Sequence, residues 1–320
     1  MKKLLLVFLL QIAFVACEKD KKEISPEITT IPMSFDVDRF DLKFAEATPE
    51  NLPSLKQQYP YLFPARYDDQ FWLDKLNDTV QNEINAEVTK AFPDFKAEGE
   101  NLLLLFKHFK YYFPQFKSPD IITVTSQVDY RNKVIASDSL MLIALDTYLG
   151  DEHYFYEGIS QYIAKNLRRE QMVTDVATEY VTQLLGGNSD REFMGQMVYY
   201  GKLLYMIEQL APFIEEEEMI GYTKEELEWA MANESEIWRY FVDSKLLYST
   251  NPKLAGRFLN PAPFSKFYLE LDNESPGMLG RYLGWQIVRS YMRNNDVSLR
   301  DLIGIDAKTL FQNAKFKPKK

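Results

Sequence analysis

The sequence is poor in the residues that carry out most enzymatic and metal chemistry. Of its 320 residues, one is cysteine and two are histidine. A single cysteine excludes a disulfide framework and a cysteine-rich metal site, and His108 and His153 leave little for zinc binding or general-base catalysis. Positive charge is also scarce, since 37 Lys and Arg face 47 Asp and Glu. The resulting net charge of −10 argues against a nucleic-acid partner, which requires clustered cations.

Sequence motifs of the common catalytic folds are missing as well. There is neither a G-x-S-x-G nucleophile elbow nor a glycine-rich loop that would cradle phosphate. His108 is expected on the surface of a helix and His153 in a solvated loop, so neither histidine predicts a site. The aromatic content of 14%, in contrast, is enough to build a substantial folded core.

The first 17 residues predict where the protein goes. Lys2 and Lys3 precede an apolar stretch at 4–16 that is too short to span a bilayer, which is typical of a secretory signal peptide. The stretch ends in F-V-A-C, which resembles a bacterial lipobox, so Cys17 is predicted to carry an N-terminal lipid. Residues 18–30 are largely charged and aperiodic, and we interpret them as a flexible tether to the membrane.

Residues 31–320 are predicted to form one α+β domain that is mostly helical. Two β-branched segments and an apolar run within 120–145 predict a small, mainly antiparallel sheet in the first half, and 31–44 predicts an early strand or extended arm. Thr223 and Glu226 fit a helix-opening capping box. Gly280 and Gly284 are expected to let another helix approach closely. Apolar stripes at helical spacing predict helices at 70–92, 98–113, 161–169, 172–185, 192–210, 223–248 and 278–292.

The helix at 172–185 has the frame of a zinc-protease helix without its ligands. Such a helix places His at i and i+4 and a Glu at i+1 that polarises the metal-bound water. Here Thr178 and Thr182 occupy the ligand positions, Glu179 the base position, and Tyr200 of the next helix the place of a third ligand. Hydroxyls are poor substitutes for imidazole. The four residues therefore predict a cleft that is a degenerate metal site and has no catalytic residue, metal or cofactor. Considered by itself, however, the motif on 172–185 is explained by an ordinary amphipathic helix.

Across its length the chain resembles the gliding motility lipoprotein GldB family of Bacteroidota. The resemblance is carried, in this order, by DRFD (38–41), YP (59–60), LDTYLG (145–150), YYGK (199–202), IGYT (220–223), EIWRYF (236–241), SPG (275–277) and GWQIV (284–288). It implies a zincin-like body that lacks the metal-binding histidines. It also implies anchoring in the outer membrane and a role in gliding motility, which depends on the type IX secretion apparatus. Only the lipid attachment transfers to a matching residue, Cys17.

The sequence thus predicts a non-enzymatic lipoprotein that binds other envelope proteins of the motility or secretion machinery through a pseudo-protease body. Two alternatives stay open at this point. The first is a metal-independent hydrolase of peptide or envelope glycan that uses Glu179 together with another carboxylate. The second is a glycan-binding lipoprotein that serves an outer-membrane transporter. The sequence decides neither the direct partner nor the face of the outer membrane that the body occupies.

Overall fold

The computed structural model describes residues 24–137, 139–270 and 272–319. Cys17 and the predicted signal peptide lie outside the described residues, as does the first part of the predicted tether. Within the remainder of that tether a short helix, α1 (Pro26–Thr29), begins at the N-cap Ser25. Ile28 on this helix is only 6% exposed, so this end of the tether packs on the body.

The first half of the body holds five further helices and a sheet. The helices are α2 (Phe40–Ala45), α3 (Leu52–Gln58), α4 (Asp69–Leu76), α5 (Thr79–Ala91) and α6 (Lys96–Tyr112). The prediction of one helix over 70–92 was wrong, because Asp78 caps α5 through the backbone N–H of Gln81 and ends the continuous run. The arm predicted at 31–44 is extended only in part, since α2 begins at Phe40.

A four-stranded sheet separates the body into two layers, and its strands are β1 (Val37–Asp38), β2 (Asp120–Val124), β3 (Val134–Ala136) and β4 (Leu140–Ala144). Their order is β1-β2-β4-β3, in which β2 is parallel to both neighbours and only β3 is antiparallel to β4. The prediction of a mainly antiparallel sheet was therefore wrong, although the α+β class is confirmed. Ile121, Ile122 and Thr123 are all buried, and burial on both faces is typical of a central parallel strand.

Helices dominate the second half, after 3₁₀ turns at Leu145–Thr147 and Tyr154–Tyr156. They are α7 (Gln161–Ala164), α8 (Gln171–Leu185), α9 (Phe193–Leu210), α10 (Glu216–Ile220), α11 (Lys224–Ala232), α12 (Glu234–Asp243), α13 (Lys253–Phe258), α14 (Leu279–Asn294), α15 (Leu299–Gly304) and α16 (Ala307–Ala314), with a further 3₁₀ turn at Asp272–Glu274. The capping box of Thr223 and Glu226 is confirmed at the start of α11. The helix predicted at 223–248 is instead two helices, which meet at Asn233.

Helices α9 and α14 pack with their backbones almost in contact, and two glycines make this possible. A Cβ built on Gly284 would lie 1.9 Å from the carbonyl oxygen of Met197, and one built on Gly201 would lie 2.2 Å from that of Gly284. No side chain fits at either position. The close approach expected at Gly284 is thus confirmed, and it fixes the relative position of residues that these helices carry.

The two faces of the sheet bury different cores. Ile121, Met141 and Ile143 point into the main core, which the helices of the second half complete. The alternate residues Ile122 and Leu142 face a smaller cluster of aromatic side chains from α2, α4 and the loops beside them. This alternation follows from the two-residue period of a strand. The sheet therefore separates two apolar compartments with different chemistry.

Candidate functional site

A cleft of about 440 Å³ lies among α8, α9 and α14. Thr178 and Thr182 line it from α8, where the four-residue spacing places both on one face of the helix. Tyr200 lines it from α9. Three of the four residues that the sequence assigned to a degenerate metal site therefore share one cavity.

Glu179, the fourth of these residues, does not line the cleft. Its carboxylate accepts a hydrogen bond of 3.0 Å from Nε2 of Gln183 on the outer side of α8. Helical spacing alone would not keep Glu179 from the cleft, because it lies one turn after Asp175, but its side chain is directed to Gln183 instead. The expectation that this glutamate is a polar cleft residue is thus not met.

The carboxylate that does line the cleft is that of Asp175, one turn before Thr178. It forms an ion pair with Nζ of Lys133 at 2.5 Å, and it accepts a hydrogen bond of 2.9 Å from the hydroxyl of Tyr148. Tyr148 is fully buried, and burial raises the pKa of its phenol well above the ordinary value, with Asp175 contributing in the same direction. Asp175 therefore has both of its partners, Lys133 and Tyr148, in place.

Arg281 brings a second positive charge into the cleft from α14. Its guanidinium lies 4.0 Å from the centroid of the Tyr200 ring, and its Nε donates to the backbone carbonyl of Leu259. Among the described residues Arg281 has no carboxylate partner. Loss of solvation lowers the pKa of this guanidinium from its usual value, and the hydroxyls of Tyr200 and Tyr222 counteract that effect. The group stays charged at neutral pH because an arginine pKa starts so high.

Two buried oxygen atoms beside these charges have no hydrogen-bond partner among the described residues. One is Oγ1 of Thr174, a residue that is 5% exposed, and the other is Oδ1 of Asn166. Both residues line the cleft. A buried polar atom without a partner costs about 1–3 kcal/mol, so a hydrogen-bond partner for either atom would stabilise the protein.

The donor set of the cleft does not fit a zinc ion. Threonine and tyrosine hydroxyls are neutral, and the carboxylate of Asp175 is already paired with Lys133. His108 and His153 both lie elsewhere: His108 is buried and bonds the carbonyl of Leu104, contrary to its predicted surface position, while His153 contacts Glu87. In the described part of the chain no group of three or more His, Cys, Asp or Glu could hold a metal. The absence of a bound metal remains a prediction.

Sequence reasoning missed the charged residues of this cleft. Arg281 lies within the stripe at 278–292, which the apolar pattern assigned mostly to the core, and Lys133 lies within a predicted strand. An arginine flanked by Gly280 and Tyr282 in an apolar helix was the one available signal, because a charge in such a helix needs a specific environment. Its convergence with Lys133 could not be inferred, since the two residues are far apart in the sequence.

Comparison with known proteins places the chain in a family. No curated protein and no solved structure matches it. Over residues 24–137, 139–270 and 272–319 no helix has the length and apolar character that crossing a bilayer requires. One family model, described as gliding motility protein GldB, matches residues 21–318, which is nearly the whole chain. The chain therefore belongs to the GldB family of gliding motility proteins.

Proposed function

We propose that this protein is a non-catalytic, lipid-anchored component of the gliding motility machinery, and that it acts by binding another envelope protein. Membership of the GldB family supports the assignment to gliding motility and to the envelope. The binding site that we propose is the cleft among α8, α9 and α14. From the family resemblance we further propose that the protein lies in the outer membrane and that its role depends on the type IX secretion apparatus.

The observation that carries the proposal is Arg281, a cation in the cleft without a carboxylate partner in the described structure. The unpartnered hydroxyl of Thr174 lies in the same cleft, and the ring of Tyr200 holds the guanidinium in place. A planar guanidinium recognises carboxylates through two parallel hydrogen bonds. We therefore infer that the partner inserts an acidic side chain or a chain terminus into this cleft.

Hydrolysis is the weaker hypothesis for this cleft. Acid–base catalysis by two carboxylates requires two such groups on one cavity. Asp175 is held by Lys133 and Tyr148, and Glu179 bonds Gln183 on the outside of α8. Among the described residues, the cleft has no carboxylate free to act as a base, which supports recognition rather than turnover. The proposed cleft residues are thus Thr178, Thr182, Tyr200 and Arg281, and Glu179 is excluded from this set.

Crosslinking in living cells tests the proposal directly. A photoreactive residue at Thr178 should capture a motility or secretion protein, whereas the same residue at Glu179 should not, because that position faces away. Adding Arg281→Met to the Thr178 probe should reduce the captured product at least tenfold. Arg239→Met is the matched control, since Arg239 is exposed on α12 and pairs only with Glu236 among the described residues. Equal capture from Thr178 and Glu179 would contradict the proposed cleft.

Motility assays separate binding from catalysis. Arg281→Met is expected to abolish gliding, while Glu179→Gln is expected to leave it nearly unchanged. The opposite pattern would favour the hydrolase hypothesis. Recovery of an outer-membrane transporter instead of motility proteins in the crosslinked product would favour a glycan-uptake role.

Lipid anchoring at Cys17 is tested independently of the cleft. Cys17→Ala should release the protein from the membrane fraction without changing its unfolding transition, because the residue precedes the packed body. Mass spectrometry of the N-terminal peptide should find acyl chains in the unchanged protein and none in the variant. A protein that stays in the membrane fraction after Cys17→Ala would contradict this anchor.

A further inference from the structure

A second cavity, of about 370 Å³, lies on the other face of the sheet, away from the proposed cleft. We call it the aromatic cavity. Phe40 and Phe44 of α2 and Phe71 and Trp72 of α4 form most of its wall, and Leu142 of β4 contributes from the sheet. Its volume is within the range of small-molecule sites in proteins, which are mostly apolar and carry a few placed polar groups.

The first of those polar groups is the indole N–H of Trp72. The side chain is packed against Phe63, Phe44 and Phe71 at ring-centroid distances of 4.7, 6.4 and 5.0 Å. The residue is 9% exposed, and its Nε1 has no acceptor among the described residues. The indole N–H of a buried tryptophan normally donates a hydrogen bond to an acceptor. The missing acceptor therefore points to a ligand that supplies it.

The second polar group is the ammonium of Lys75, three residues further along α4 and on the same cavity. It makes no ion pair or hydrogen bond within the described chain. The acidic residues of its own helix are engaged elsewhere, because Asp69 pairs with Lys56 and Asp74 accepts from Gln70. The indole of Trp72 and the ammonium of Lys75 therefore lie on the same cavity, whose wall is otherwise mostly apolar.

The nearest carboxylates around Lys75, those of Asp78 and Asp146, are also engaged. Asp78 accepts the backbone N–H of Gln81 at 2.9 Å. Asp146 is fully buried and accepts the backbone N–H groups of Ser126 and Val128 at 2.9 and 2.6 Å. Neither lies within ion-pairing distance of Lys75. An incoming anion would therefore meet an ammonium that none of the described carboxylates neutralises by direct contact.

The loop that borders this cavity is held in a strained conformation. Gln127 lines the cavity, and Gln127 and Val128 have φ values of 57° and 59°, which are costly for a side chain and most of all for a β-branched one. The two backbone bonds to Asp146 fix this conformation. The loop directly follows β2, and the crevice at the carboxyl ends of parallel strands is where ligands commonly bind in such sheets. A strained and fixed loop at that edge is consistent with a preformed site.

We propose that the aromatic cavity binds a small monocarboxylate with an apolar body. The carboxylate would accept hydrogen bonds from Nε1 of Trp72 and Nζ of Lys75, and the hydrocarbon would pack among the phenyl rings. The apolar part can be an acyl chain or an aromatic ring, because both satisfy the same walls. This site is separate from the cleft of Arg281, so its existence does not depend on the proposed function.

Calorimetric titration tests the proposal, with decanoate as the probe and the full chain carrying Cys17→Ser to avoid detergent. Decanoate should bind at least tenfold more tightly than decan-1-ol, which lacks the charge. Trp72→Phe keeps a ring but removes the N–H, and Lys75→Met keeps the stem but removes the charge. Each substitution should weaken decanoate binding at least about tenfold, because each removes a hydrogen bond to the charged carboxylate.

Lys90→Met is the matched control, because Lys90 is exposed on the neighbouring helix α5 and away from the cavity lining. It should leave decanoate binding unchanged. Tighter binding of 4-phenylbutyrate than of decanoate would assign an aromatic acid, and the reverse order an acyl chain. Absence of decanoate binding, equal binding of decan-1-ol, or an equal loss in Lys90→Met would each overturn the proposal.

Discussion

The two cavities of this protein combine similar polar groups with very different walls. Among the described residues, each holds one cation without a direct carboxylate partner, Arg281 or Lys75, and each holds a buried polar atom without a partner, Oγ1 of Thr174 or Nε1 of Trp72. Hydroxyls and amides surround Arg281, whereas phenyl rings surround Lys75. The cation can attract an anion in both places, and the walls decide whether the rest of that ligand must be polar or apolar.

The difference follows from the sheet. Its residues alternate between the main core and the aromatic cluster, so one set of strands supports two unlike compartments. The cleft of Arg281 depends on how α8, α9 and α14 pack. The aromatic cavity depends on α2, α4 and the loop after β2. A substitution in one set of elements can therefore perturb one cavity and leave the other unchanged.

The largest effect is expected where α9 and α14 touch. Gly284→Ala would place a methyl group 1.9 Å from the carbonyl oxygen of Met197, which only a movement of the helices relieves. We expect the free energy of unfolding to fall by about 3 kcal/mol, at the upper end of typical overpacking costs. Denaturant titration measures this, and crosslinking from Thr178 should weaken as the cleft distorts.

Gly256→Ala is the control for this substitution. Gly256 lies in the helix α13, and a Cβ built there has no atom within 4 Å. Alanine is favoured over glycine inside a helix by up to about 1 kcal/mol, so this variant should be unchanged or slightly more stable. A Gly284→Ala protein as stable as the unchanged protein would mean that the two helices are not in contact as described.

An intermediate effect is expected from pH, and it should separate the two cations. Burial lowers the pKa of Lys75 from its usual value of 10.5, against the opposing influence of Asp78 and Asp146. As pH rises through this lowered pKa the ammonium loses its proton, while decanoate stays ionised. Decanoate binding, measured by calorimetry, should therefore weaken progressively as pH rises from 7 towards 10.5.

Lys75→Arg gives this pH prediction its control. A guanidinium keeps its charge throughout the range, so the variant should bind decanoate with an affinity that changes little with pH. The substitution makes the aromatic cavity resemble the Arg281 cleft in this one respect. Identical pH profiles of the unchanged protein and the variant would show that the charge of Lys75 does not govern binding.

The smallest effect is expected at the start of α11, beside the cleft. Thr223→Ala removes the hydroxyl that accepts the backbone N–H of Glu226, and the loss should reduce the free energy of unfolding by about 1 kcal/mol. Decanoate binding at the aromatic cavity should not change. Thr223→Ser retains the hydroxyl and should restore most of the stability. A weaker decanoate affinity in Thr223→Ala would contradict the independence of the two cavities.

The degree to which the sequence anticipated this structure varies with the range of the interactions. Helix α6 and the capping box of Thr223 were predictable because their signals lie within a few residues. The break at Asp78 was missed, since the apolar stripe continues across it and hides the N-cap. The sheet was predicted as mainly antiparallel because a polar turn separates β2 from β3, yet β2 pairs with β4 instead. Strand pairing depends on distant partners that no local pattern reports.

The residues of the candidate site were likewise predictable only where the signal is local. The spacing of Thr178 and Thr182 predicted that they share a helix face, and the structure places both on one cleft with Tyr200. The position of Glu179 off the cleft did not follow from helical spacing, because Glu179 lies one turn after Asp175, which does line the cleft. Arg281 and Lys133 were not predictable, because only the packing of α14 and the sheet against α8 brings them together.

By itself, the sequence determined the class of the protein, most of its helices and its family, because composition, periodicity and local hydrogen bonds are encoded within short segments. It also determined that threonines stand on α8 where a zinc-protease helix would carry its two histidines. Only the tertiary structure decided which charges are left without partners, because that depends on every group that reaches the same space. Arg281 and Lys75 are ordinary residues in the chain, and the fold gives each of them a cavity in which no described carboxylate pairs with it.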